Sequence, residues 1–420
     1  MRSASALLLA CALAASAASG CASEAPETDD SNLETDLRPE LAQVNDVSIL
    51  FPLAKSKAAF DGGYLTPASL GRGGALVTPQ VYERAFGPPG TLLIGGTPPA
   101  PLLKGLKLVA VRFDPCFAQL AVTDEGTCKN QMRLVFQTLT FKNNQTTAAD
   151  DAVHVFFSLT RAELKKAIQT MVALRRRLVQ DKRTGALGPH PLLKTTSGDL
   201  NTAVAKEVNQ LVTSLAGPNN LVQFTQFVAS GLSTTWNFAG FDAVKNIPIK
   251  IPDLPEGDDQ HVAFFAGFTP GQLEGDPSFV PASKAPTADN IQSLGNRLTA
   301  KAATPATRST AFTALLRLEN PTIHSPDTTD CASCHAVEPI RKFVGAKHFA
   351  TEMKASMAGT FERDSRWVPE ADMVSIAQTD TEVNVHMFSY RATFPSVHRR
   401  VINESAAIVA HVNSRILSTP

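Results

Sequence analysis

Aromatic side chains other than phenylalanine are scarce: the 420 residues hold two Trp and three Tyr against 23 Phe. Excess charge of either sign is missing too, since 39 Lys and Arg balance 39 Asp and Glu. A neutral chain gives no electrostatic ground for binding nucleic acid or an anionic membrane surface. Beyond the first 20 residues no stretch approaches the roughly 18 apolar residues of a spanning helix. G-x-S-x-G, a Walker loop, H-E-x-x-H and a Rossmann glycine string are all absent. The chain therefore carries no signature of a nucleophile elbow, a nucleotide-triphosphate cradle, a zinc peptidase or a dinucleotide site. Six cysteines are too few to staple a chain of this length, so each one calls for its own explanation.

What remains describes a globular protein. Hydrophobic residues make up 43% and charged residues 19%, enough to build a sizeable core across two or three domains, and 28 Pro with 25 Gly imply many turns. Strand-like alternation marks 46–51, 106–113, 132–141 and 153–158, and later 221–228, 234–244, 247–251 and 261–268. Thr160 to Glu163 form a capping box, and the helix after it sets Leu164, Ile168, Met171, Leu174 and Leu178 on one face. A second helix is expected over 203–215. Arg175, Arg176, Arg177, Lys182 and Arg183 cluster near the end of the first helix. They read as charge placed at a helix C-terminus or as a docking patch for an acidic redox partner. Asp253, Glu256, Asp258 and Asp259 form an acidic turn, and His154, His190 and His261 stand isolated. The span 46–305 is thus expected to be an α+β module with antiparallel strands and flanking helices, its role unread.

The most specific string is Cys331-Ala332-Ser333-Cys334-His335, a C-x-x-C-H motif. Chance produces it on the order of 0.002 times in a chain of this composition. Two thiols one helical turn apart can each add to one vinyl group of a single porphyrin, and the histidine next to them can ligate its iron. A redox pair would need a strand before it, whereas Pro321 and Pro326 break the lead-in. A structural zinc would need a second pair of ligands, and a disulfide across one turn would be strained. Haem c, one covalent group with iron on His335, is the expected cofactor.

Haem of this type is attached outside the cytoplasm, and the chain opens with an export-type segment: Met1-Arg2, an apolar run, then small residues up to Gly20-Cys21. Ala18-Ser19-Gly20-Cys21 resembles the lipobox of bacterial lipoproteins. That resemblance implies a signal at 1–21, a lipid on Cys21 and a solvated tether over 22–45. The expected place is periplasmic or outer-surface, with the lipid as the sole membrane contact. Cys116 and Cys128 remain; they are expected to pair over the loop 117–127, the alternative being two buried thiols.

From Cys331, Cys334 and His335 onward, the chain resembles a class I c-type cytochrome, over about 110 residues. The resemblance implies a small, mainly α domain at 306–420. Pro339 is then expected to accept the His335 Nδ1 proton, and a methionine before the last helix to take the sixth iron position. Met387 precedes that helix, whose apolar face is Val401, Ser405, Ile408, Val412 and Ile416 with a start at Ser396 or Asn403. Met373 is the alternative, while Met353 and Met357 follow His335 too closely to wrap a porphyrin edge. His386, His348, His398 or an open position complete the choices. Phe343, Trp367 and Tyr390 are candidate pocket walls. The expected function is electron transfer with a redox partner protein; the alternatives are a haem-dependent sensor or enzyme with an open iron position, and an interaction lipoprotein. No catalytic residue is assigned.

Overall fold

A computed structural model describes residues 41–86, 105–115, 129–178, 185–230, 235–244, 247–250, 261–263, 289–295, 297–324, 329–356 and 384–418. Cys21, Cys116, Cys128, Met357, Trp367, Met373, Lys182, Arg183, the acidic turn at 253–259 and the expected membrane-anchored start all lie outside the described residues.

In chain order the elements begin with α1 (Val44–Val47), β1 (Ser48–Leu50), α2 (Lys57–Gly62), β2 (Leu70–Gly71), β3 (Gly74–Ala75) and α3 (Pro79–Phe86). Then come β4 (Leu106–Asp114), β5 (Gln131–Lys142), β6 (Gln145–Ala148), β7 (Asp151–Ser158), α4 (Arg161–Leu178) and α5 (Thr202–Leu215). Next are β8 (Leu221–Ser230), β9 (Thr235–Val244), β10 (Ile247–Lys250), β11 (His261–Ala263), α6 (Arg297–Ala302) and α7 (Pro305–Leu318). The last are α8 (Cys331–Ile340), α9 (Ala350–Ala355), β12 (Phe388–Arg391), β13 (Phe394–Val397) and α10 (Arg399–His411). The protein is an α+β fold around an antiparallel sheet of nine strands, ordered β1-β4-β5-β7-β8-β9-β10, with β6 beside β5 and β11 beside β9.

The alternation of β5 gives the sheet two different faces. Met132, Leu134 and Phe136 point to one side and oppose Phe157, Val155 and Val153 of β7, with Phe113 of β4 opposite Met132. All are buried, and α4 lies against β4. On the other side Arg133 opposes Phe156 and Arg112, Val135 opposes His154, and Phe227 of β8 opposes Phe238 of β9. This second face carries the polar and aromatic residues that meet α8 and α10. Residues 39–420 form one compact unit, so the segments expected as separate modules share a continuous core.

Local chemistry accounts for the hairpins. β5 turns into β6 through Asn143 and Asn144 at φ 52 and 57, the left-handed pair that a two-residue turn requires and that asparagine tolerates. The capping box before α4 forms as expected: Glu163 N–H donates to Thr160 Oγ1 at 3.2 Å and Thr160 N–H to Glu163 Oε2 at 2.8 Å. Of the expected apolar face, Leu164, Ile168, Met171 and Leu174 are buried while Leu178 is exposed.

Several expectations are corrected. The strand expected over 46–51 is α1 followed by the short β1, because Asp46 is drawn inward: its Oδ2 accepts from Gln43 N at 2.8 Å and lies 2.9 Å from Arg175 Nε. Arg175 is therefore a buried partner, not part of a docking patch. Ahead of α7, a 3-10 turn at Gln292–Leu294 leads into α6. α10 starts after His398, which makes no side-chain cap; Ser396 instead lies in β13 and Asn403 within the helix.

Candidate functional site

Asp330 starts α8 by accepting Ser333 N–H on Oδ1 at 2.7 Å, which satisfies one orphan donor of the first turn. The cap places Cys331 and Cys334 one turn apart, both half-buried, and they carry thiols with no disulfide between them. Burial pushes these thiols up to about 12 and about 11, so they are neutral near pH 7. Pro339 lies inside the helix and has no N–H for the carbonyl of His335 four residues back. The helix then widens into a π turn over Arg341–Ala346.

α8 is enclosed: Ala332, Ser333 and every residue from His335 to Ile340 are buried. His335 packs its ring against Phe238, Phe227 and His154, at centroid distances of 5.0, 5.4 and 6.4 Å. Its Nδ1 lies 2.6 Å from the carbonyl of Val385. A carbonyl can only accept, so the proton sits on Nδ1 and the lone pair on Nε2. Desolvation holds the imidazole neutral, pulling it down to about 3. The proton acceptor is thus Val385, not Pro339. Commitment of one ring nitrogen to a carbonyl is the arrangement that orients a metal-bound histidine.

The remaining expected residues take different places. Met387 comes to the motif, with its Sδ 3.9 Å from Cys334 Sγ. His386, its neighbour on the other face of the chain, is spoken for: Nε2 is 2.8 Å from Asp150 Oδ1, and Nδ1 is 3.0 Å from Ser389 Oγ. Burial opposes the Asp150 charge, yet His386, Arg391 and the Trp236 N–H keep its carboxyl below the usual range. The Asp150–His386–Ser389 order mimics a hydrolytic relay, but Ser389 and His386 are buried, and the chain pins β12 to the sheet. Met353 lies on α9, and the exposed His348 lies between the π turn and α9. Phe343 is buried in the core, and Tyr390 is tied through its hydroxyl to the Phe51 carbonyl at 2.7 Å.

His398 differs from all of these. It is 1% exposed, and neither ring nitrogen has a hydrogen-bond partner among the described residues. Desolvation lowers it to about 4, with the Glu338 carboxylate working in the opposite direction. Glu338, three residues after His335, gives one oxygen to Arg341, and its Oε2 has no partner among the described residues. The hairpin register places Met387 and His398 on the rung next to Phe388 and Val397, and His398 N–H donates to the Met387 carbonyl at 2.9 Å.

Beside Cys334 runs a buried ion network that the sequence did not disclose. Arg112 Nε is 2.6 Å from Asp114 Oδ1, its Nη1 contacts Glu404, and Arg400 Nε is 2.8 Å from the other Glu404 oxygen. Burial alone would raise Glu404, but Arg112 and Arg400 outweigh it and hold the carboxyl well below its usual range. His154 and the two phenylalanines were also missed, because an isolated histidine in a strand has no spacing signal. Within the described residues no cluster of three or more His, Cys, Asp or Glu forms a preformed metal site. The residues nonetheless suit a covalently attached porphyrin: two thiols one turn apart and an adjacent imidazole with its Nε2 lone pair uncommitted among the described residues. The chain matches no protein-family model, no curated protein and no solved structure.

Proposed function

We propose that the protein is an exported electron carrier with a single haem c held through Cys331 and Cys334 and ligated by His335. The observation that carries this reading is the His335 tautomer: Nδ1 is bound to the Val385 carbonyl, leaving Nε2 for iron, within a C-x-x-C-H string on one helix. The cysteines would supply the two thioether links, and the iron, when bound, takes up and gives back one electron. Val385 fixes the imidazole plane and raises its basicity as a ligand. Phe227, Phe238 and His154 keep water from the ring, which limits the reorganisation that accompanies a charge change. The network of Arg112, Asp114, Arg400 and Glu404 sets a fixed charge pattern beside Cys334. A sixth ligand from the hairpin, with Met387 as the sulfur candidate, would favour electron transfer over small-molecule chemistry. A lipid on Cys21 and a redox partner protein complete the proposal.

The test is expression of the full chain in a host that matures c-type haem. Haem staining that survives boiling in denaturant, with a low-spin absorption spectrum, is the expected result. A colourless protein overturns the reading, and a high-spin spectrum replaces electron transfer with ligand binding at an open iron.

A further inference from the structure

Two contacts tie the segment before the C-terminal hairpin to α8. The Val385 carbonyl takes the His335 Nδ1 proton at 2.6 Å, and two residues on, the Met387 thioether lies 3.9 Å from the Cys334 thiol. His386 between them turns the other way, to Asp150. Met387 is held in place by its own backbone, whose carbonyl accepts the His398 N–H at 2.9 Å. Cys331 stands three residues before Cys334, and side chains at that spacing on a helix are neighbours, with Cβ atoms about 5–6 Å apart. Three sulfurs thus gather at the start of α8. Metal–sulfur bonds of about 2.3 Å in a trigonal plane set their sulfurs about 4.0 Å apart, close to the 3.9 Å already present between Cys334 and Met387. A bare ion fits among the sulfurs without a larger cavity, and it reaches them from solvent because both cysteines are only half-buried.

The donor set selects the ion. Among the described residues no three His, Cys, Asp or Glu side chains form a metal-holding group, so zinc or a hard cation lacks its usual ligands. Two thiolates and a thioether are soft donors, the kind that select monovalent copper. From this we propose that the haem-free chain binds one Cu(I), or its analogue Ag(I), through Cys331, Cys334 and Met387. Each thiol gives its proton to solvent as its sulfur bonds the metal, and the copper stays cuprous throughout. The proposal goes beyond the haem reading and does not rest on it. Haem and copper are mutually exclusive occupants, since a cysteine sulfur joined to a vinyl carbon is no longer a thiolate.

The experiment uses the full-length chain made without haem maturation and kept reduced. Titration with Cu(I) against a chromophoric cuprous chelator is expected to show one ion per chain, and X-ray absorption at the copper edge three sulfur neighbours. Met387→Leu is expected to weaken binding at least about tenfold and to leave two sulfurs on the metal. Cys331→Ser and Cys334→Ser are each expected to abolish the complex. A wild type that binds no Cu(I) overturns the proposal, as does a two-sulfur site that Met387→Leu leaves unchanged, or binding that survives either serine variant. Should the serine variants fail to fold, wild type and Met387→Leu alone still decide. Haem stain on a denaturing gel, after expression in a haem-maturing host, reports the haem reading separately. A stained band with no copper bound by the haem-free chain sinks this proposal alone, and a colourless band with one bound Cu(I) sinks the haem reading alone. The haem-loaded chain is expected to take up no copper; uptake equal to that of the haem-free chain would put the metal elsewhere and refute the site.

Discussion

His335 and Val385 are joined across 50 residues of sequence by a 2.6 Å hydrogen bond that fixes which ring nitrogen carries the proton. The donor belongs to α8 and the acceptor to the segment leading into the C-terminal hairpin, so the tautomer exists only once these two segments have met.

Replacing both motif cysteines tests the chemistry without disturbing this bond. Cys331→Ala with Cys334→Ala is expected to abolish haem that survives denaturation while leaving export unchanged. Retained colour on a denaturing gel would refute the attachment sites.

Arg175 separates a structural cation from a surface one. Both Arg175 and Asp46 are fully buried and lie 2.9 Å apart. Arg175→Ala strands a buried carboxylate and is expected to cost about 3–5 kcal/mol in denaturant unfolding. Arg177, whose pair with Glu207 is exposed, should cost at most about 0.5 kcal/mol when changed to Ala. Equal losses would contradict this assignment.

Ala392 turns β12 into β13 at φ 52, a conformation that costs an L-residue roughly 1 kcal/mol. Ala392→Gly relieves that strain at the expense of extra entropy in the unfolded chain. A net gain of about 0.5 kcal/mol is expected by chemical denaturation, and a loss would show that the alanine methyl contributes packing.

Acid should destabilise the fold through its buried histidines. His190 accepts Leu192 N–H on Nδ1 at 3.2 Å, and its Nε2 lies 2.9 Å from the Asn45 carbonyl. Burial lowers it from 6.5 to about 4. Between those values the unfolded chain takes up a proton that the folded one refuses. Its stabilising contribution is therefore complete above about pH 6.5 and lost as pH falls toward 4, on the order of 3 kcal/mol. Asp46 works the other way, because burial raises it to about 6 and the folded state then gains protons as pH falls below that. Comparing unfolding free energies of wild type and His190→Gln from pH 7 to 4 isolates the histidine; parallel curves would refute its role.

The residues that carry strong local signals were legible in the sequence. The central strands alternate, Thr160 and Glu163 form their box, and the motif helix announces itself through spacing alone. What was not legible depends on long-range pairing. The β12–β13 hairpin turns on Ala392, which lacks the Gly or Asn that marks such turns. Arg175 read as a surface charge because its partner lies 129 residues away. Both faces of the sheet are covered, so its second face could bury Arg112, Arg133 and His154 beside aromatic rings, and no periodicity distinguishes that from an exposed polar face. The place of His398 is likewise a property of the register between two strands.

The two ends of the described chain are stitched together. Ala42 N–H donates to Asn413 Oδ1 at 2.9 Å, Asn413 returns a bond to the Ala42 carbonyl at 3.1 Å, and Ser48 and Ser405 share a 2.7 Å contact. α10 is also the last described helix to leave the ribosome, and the Val385 carbonyl comes shortly before it. Closure across such separations is slow, so nascent chains pass through their whole synthesis with the seam open. Until these C-terminal segments are in place, His335 lacks its Val385 acceptor and Arg112 lacks its Glu404 partner.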